Sequence, residues 1–170
     1  MIWQRLRRTI APLLLAVLLL VSSCSSRPAS RFDQAQREST QRGATPAVVK
    51  EATQGGEFNK FFPKDGDGFS RVFVQEKKGF AEAKLNKGGK NVAMLSVSDT
   101  ASTPDAKKKF ATSTKKIGGY PVVDQGTNIT AALVGNRYQV KVQSRDPSFT
   151  KSDREAWLAK FNLGGLAALK

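Results

Sequence analysis

The stretch "FAEAKLNKGGKNVAMLSVSD", Phe80 to Asp99, constrains the fold more than any other part of the chain. Ala81, Ala83 and Leu85 alternate with Glu82 and Lys84. Ala93, Leu95 and Val97 alternate in the same way beyond the Gly88-Gly89 pair. A period of two sends successive side chains to opposite faces of a strand. Two such runs joined by glycines make an antiparallel hairpin with one buried face. "FSRVFVQE" (69–76), rich in β-formers and followed by Lys77-Lys78-Gly79, adds a third strand. Downstream, "NITAALV", Gly135-Asn136 and "RYQVKVQS" repeat the plan. Ile129, Ala131 and Leu133 share one face, and Tyr138, Val140 and Val142 share one face of the partner strand. Gln139, Lys141 and Gln143 are expected to point to water. The two-residue Gly-Asn connection suits a tight turn with positive φ at its first position.

Helix signals lie between and after these strands. Thr103 as N-cap, Pro104 at the first helical position and Asp105 in the first turn predict a helix over "DAKKKFATSTKK", anchored by Phe110. Glycines then break it before the strand-like "YPVV". Ser152 and Glu155 read as the capping box of a last helix that turns Trp157, Leu158 and Phe161 inward. Asn162 and Gly164-Gly165 interrupt it. Phe58, Phe61 and Phe62 fall on one helical face, ended by Pro63, and read as core. Asp65-Gly66-Asp67-Gly68 resembles part of a calcium loop. With Gly68 at the sixth position, however, the first and twelfth positions fall on Pro63 and Val74, where acidic ligands are required, so it reads as a turn. The expected fold class is α+β: an antiparallel sheet of about six strands in two meander or hairpin-plus-helix halves, with helices packed on one face. Aligning "AKLNKGGKNVAMLSVSD" with "AALVGNRYQVKVQSRD" suggests a diverged internal duplication of about 50 residues.

What is missing restricts the chemistry. The chain has no histidine and one cysteine, Cys24. The usual zinc, copper and iron ligand sets cannot be assembled, and no metal or cofactor is expected. Ser–His and Cys–His nucleophile pairs are excluded, and the commonest general base is absent. No phosphate-binding glycine loop or nucleophile elbow occurs. The expected protein is therefore not an enzyme. The alternative is a cell-envelope hydrolase using paired carboxylates, with Asp99, Asp124 and Asp146 near strand ends as candidates. That chemistry needs two carboxyl groups about 5 to 9 Å apart.

Cys24 closes the run "APLLLAVLLLVSSC". Ile10 to Val21 is too short for a span, which needs about 20 apolar residues, and suits the apolar core of a leader preceded by Arg5, Arg7 and Arg8. Val21-Ser22-Ser23-Cys24 resembles the lipobox of bacterial lipoproteins. The resemblance implies removal of residues 1–23, a diacylglyceryl thioether on Cys24 and usually an N-acyl chain. Two or more chains anchor stably. Residues 24–56, rich in Ser, Arg, Gln and Thr, read as a flexible tether, and 57–170 as one α+β domain. Losing the leader arginines lowers the net charge from +14 to +11. "GEFNKFFP", "QEKKGFAEAKL", "LSVSDT" and "DREAWLAKFNLGGLAAL" resemble a family of small lipoproteins of cyanobacterial genomes. That resemblance implies an exported protein facing a periplasm or a thylakoid lumen, and it carries over no catalytic residue. Lys107, Lys108, Lys109, Lys115 and Lys116 form the expected docking patch for an acidic membrane-protein partner or anionic lipid. Export and sparse exposed aromatics argue against nucleic acid, despite the basic pI.

Overall fold

The alternating runs pair into one antiparallel sheet. Its strands are β1 (Phe69–Lys77), β2 (Phe80–Lys87), β3 (Lys90–Asp99), β4 (Lys115–Ile117), β5 (Tyr120–Gln125), β6 (Ile129–Val134) and β7 (Tyr138–Ser144), in spatial order β1-β2-β3-β7-β6-β5-β4. The computed structural model describes Arg37, Thr40, Gln41 and residues 48–169. The chain divides into two compact units, Met1–Thr45 and Pro46–Lys170. In the first, the described residues make one helical turn in which Gln41 N donates to Arg37 O at 3.1 Å. Cys24, the leader and most of the expected tether lie outside the described residues.

The α+β class is present, with seven strands where about six were expected. The added strand is β4, whose residues were expected to finish a helix. Gly118 and Gly119, at φ +58° and +88°, fold Ile117 back onto Tyr120. Three residues are too few for a period of two to show in sequence. At the β6–β7 turn both Gly135 (φ +57°) and Asn136 (φ +53°) are left-handed. That geometry matches the right-handed twist of the flanking strands.

One face of the sheet carries the main core. Leu85, Leu95, Val97, Val134, Val140 and Val142 are all buried there. Over them lie α1 (Lys151–Ala159), α2 (Leu163–Ala167) and the 3-10 helix η1 (Gly55–Phe61). Phe58 meets Tyr138 edge-on at 5.7 Å, Phe62 meets Phe161 at 5.1 Å, and Phe69 meets Trp157 at 4.9 Å. Full burial of such a side chain is worth about 1.5 to 3 kcal/mol. The core reading of the three phenylalanines therefore holds.

The helices do not all lie on this face. The chain after β3 forms two 3-10 helices, η2 (Thr100–Ser102) and η3 (Pro104–Phe110), in place of the expected α-helix. Thr103 makes no side-chain cap. Instead Asp99 caps η2 by accepting from Ala101 N at 2.9 Å. Phe110 packs with Ala131 and Leu133 on the opposite face, beside Val123. β6 is apolar on both sides, which leaves the second side in need of a cover. Gln139 also departs from expectation: only 5% exposed, it sits on a central strand rather than in water.

Two smaller corrections concern boundaries. The α1 cap is Thr150 with Asp153, two residues earlier than Ser152 with Glu155. Asn162 ends the first helical run as expected and caps α2 by accepting from Gly165 N, so both glycines lie inside a helix. Residues 48–56, expected in the tether, pack on the sheet. Ala52 is buried, and a Cβ at Gly55 would stand 2.5 Å from the carbonyl oxygens of Lys77 and Phe80. At the open edge, Asp65 accepts from Arg71 N at 2.8 Å, and the β1–β2 register shifts between Phe73 and Gln75. A capped amide and a bulge both discourage pairing by a foreign strand.

Candidate functional site

Register decides which charged side chains share a face. Lys84 sits opposite Met94 and Val72, Lys141 opposite Ser96 and Ala131, and Glu82 opposite Ser96 and Gln75. These residues alternate with the core residues of their strands, so they lie on the face away from α1, α2 and η1. Lys116, opposite Pro121, shares that open face. η3 also lies there through Phe110 and brings Lys107, Lys108 and Lys109 with it.

The expected lysine patch is thus divided. Lys115 alternates with Lys116 and turns to the helix-bearing face, where it pairs with Glu155 of α1. Lys108 pairs with Asp105 in the same turn, both largely exposed. Lys107, Lys109 and Lys116 have no acidic partner among the described residues, and Lys84 and Lys141 join them in this. Lys109 lies over the Phe110 ring at 5.5 Å, next to the position where Phe110 packs on Ala131, the register neighbour of Lys141. Partial burial, reinforced by the charge of Lys141, holds the Lys109 ammonium below the usual lysine range. Sequence reasoning missed Lys84 and Lys141. Each reads as an ordinary solvated strand residue until the strand order places it near η3.

The acids are distributed differently. On the open face and its covering helix the described acids are Glu82 and Asp105. The helix-bearing face carries pairs instead: Lys60–Glu57, Lys160–Asp67 and Lys151–Asp124. Among the described residues, the helix-bearing face therefore mixes acids with bases, while the open face is mainly basic.

The three carboxylates proposed for hydrolysis are not brought together. Asp99 ends β3 beside Tyr138, whereas Asp146 follows the opposite end of β7 and pairs with Lys90. At about 3.3 Å per residue, the strand length between them is about 20 Å. Asp124 lies on β5, three strands from β3. All three are held below the ordinary carboxylate range. Burial would raise Asp99, but hydrogen bonds from Arg137, Thr53 N and Ala101 N outweigh it. Lys151 is the main cause at Asp124, and the Ser148 hydroxyl and amide at Asp146. None of the three is a raised-pKa group of the kind that serves as a general acid at neutral pH.

A cleft of about 250 Å³ opens beside Asp99, between Val48, Lys77, Phe80 and Ser102. Its polar floor is already committed. The Asp99 side chain is fully buried and accepts from Thr53 N at 3.0 Å, Ala101 N at 2.9 Å and Arg137 Nη2 at 2.8 Å. Arg137 Nη2 also donates to Glu51 O at 2.8 Å. The cleft is where the incoming segment is clasped to the sheet. A second clasp is Arg154, 4% exposed, which donates to Thr130 Oγ1, Ser144 Oγ and Thr127 O. It fastens α1 to β6 and β7. Among the described residues, no group of three His, Cys, Asp or Glu side chains stands close enough to hold a metal ion. No helix among them is long and apolar enough to cross a membrane.

Compared with protein families, curated proteins and solved structures, the chain matches none. The functional reading rests on its own residues.

Proposed function

We propose that the protein is exported, held to a membrane by lipid on Cys24, and acts as a non-catalytic binding or accessory protein at that membrane's surface. Its basic face docks on an acidic surface, either anionic lipid or an acidic membrane-protein partner. It faces a periplasm or a thylakoid lumen. The observation that carries this reading is the separation of charge: paired acids and bases on the helix-bearing face, and on the open sheet face lysines that, Lys108 apart, have no acidic partner among the described residues. Such a face gives salt-sensitive attraction to acidic surfaces. The short apolar run ending at Cys24 supports the anchor. Detergent phase partitioning tests it. The wild type enters the detergent phase. Cys24→Ala leaves an uncleaved precursor or an aqueous-phase protein. A Cys24→Ala protein that is processed and partitions like the wild type would overturn the lipid anchor.

A further inference from the structure

We infer that the open face of the sheet is a contact surface for the headgroup plane of an anionic lipid bilayer, an inference that rests on the membrane-surface reading above. Four lysines define it: Lys84 on β2, Lys141 on β7, Lys109 on η3 and Lys116 on β4. From β2 to β4 the spatial order counts five strand spacings. At about 4.8 Å each, the lysines span about 24 Å across the twisted face. Cations dispersed this widely do not converge on one small anion. They match a continuous sheet of phosphates.

Two further observations favour lipid over an acidic protein face. Val72 and Val74 on the edge strand are 49% and 45% exposed, and Val72 lies directly opposite Lys84. Apolar side chains at the rim of a basic plane can enter the boundary between headgroups and acyl chains, while lysine stems reach up to the phosphates. Lys109 and Lys141 also share this face, since Phe110 packs on Ala131, the register neighbour of Lys141, and neither lysine has an acidic partner among the described residues. An anion in that plane relieves their repulsion.

The test uses the chain from Ser25 onward, which carries no lipid. The main core lies within Pro46–Lys170, so its fold is retained. Binding is measured by co-sedimentation with vesicles of phosphatidylcholine alone and of phosphatidylcholine mixed with phosphatidylglycerol, at low and high salt. Binding is expected only with phosphatidylglycerol, and it weakens as salt rises. Replacing Lys84, Lys109, Lys116 and Lys141 together by glutamine lowers partitioning about 100-fold or more. Replacing Lys60, Lys90, Lys151 and Lys160, which changes net charge equally but lies away from the open face, lowers it far less. The two sets share the same tether arginines, so the difference reports the face. Val72→Ser with Val74→Ser lowers binding several-fold, including the part that survives high salt. Circular dichroism checks that each variant is folded. Equal losses from the two lysine sets, or no binding to phosphatidylglycerol vesicles at low salt, would overturn the bilayer contact. Either result leaves the Cys24 partitioning experiment untouched, so the anchor and a protein partner would stand or fall separately.

Discussion

Asp99 shows how one side chain joins distant parts of the chain. Its two oxygens take amides from Thr53 and Ala101 and the guanidinium of Arg137. Next to it the Tyr138 hydroxyl donates to Leu169 O at 3.2 Å, and it lies 3.1 Å from Thr53 Oγ1. Both ends of the described unit therefore meet at adjacent residues of two central strands. Because the folded carboxyl titrates below its unfolded value of about 3.9, its contribution is fully present above that pH. It is lost as pH falls through the folded value. Asp99→Asn is expected to cost about 2 kcal/mol at neutral pH, since charge-assisted bonds are replaced by weaker ones and Arg137 loses its counter-charge. The difference between variant and wild type shrinks below about pH 4. Urea unfolding at several pH values measures it. A constant difference from neutral to acid pH would show that the loss is packing and not charge.

At the scale of elements, two similar sequences take different routes. The strand order has the symmetry of two three-stranded meanders meeting at β3 and β7, with β4 added at one edge. The pattern that suggested a duplication is compatible with that order. Each meander is followed by a helical stretch, η3 with Pro104 at its first position and α1 capped by Thr150, yet η3 crosses to the open face while α1 covers the main core. Available apolar partners account for the difference. α1 offers Trp157 and Leu158 to the large core, whereas η3 offers Phe110 alone. Phe110 suits the small cluster of Ala131 and Leu133. Phe110→Ala is expected to cost about 3 kcal/mol and to release η3 with its lysines. Hydrogen exchange should quicken around residues 104–117 while β2, β3 and β7 stay protected. Uniform quickening would mean that the open-face cluster and the main core form one cooperative unit.

At the scale of the whole molecule, the packed unit begins upstream of the expected boundary. Val49 N donates to Ser102 Oγ, Thr53 N to Asp99, and Arg137 to Glu51 O. A chain starting at Glu57 loses all three and the buried Ala52. It is expected to be about 3 kcal/mol less stable than one starting at Pro46. Comparison of urea midpoints checks this, and equal midpoints would restore the boundary to Glu57. Composition concealed this segment: Val48–Gln54 is polar and short of large apolar residues, as a linker is, and its ordering comes from backbone groups that any sequence possesses.

By itself the sequence determined the period-two alternation, and with it the antiparallel strands, the turns at Gly88-Gly89 and Gly135-Asn136, the buried faces of β2, β3 and β7, and the core roles of Phe58, Phe61 and Phe62. These are local: neighbours along the chain and turn residues with positive φ suffice to specify them. Only the tertiary structure decided the strand order, and strand order is a long-range property. It placed Lys141 beside Lys109, sent Lys115 and Lys116 to opposite faces, buried Gln139, joined Asp99 to Arg137 and Thr53, and separated Asp99, Asp124 and Asp146. Of the candidate site, the lysines of η3 were legible as a charge run. Lys84 and Lys141 were not, because a face of a sheet is assembled from residues far apart in sequence, and nothing in a single strand reveals which strand will lie beside it.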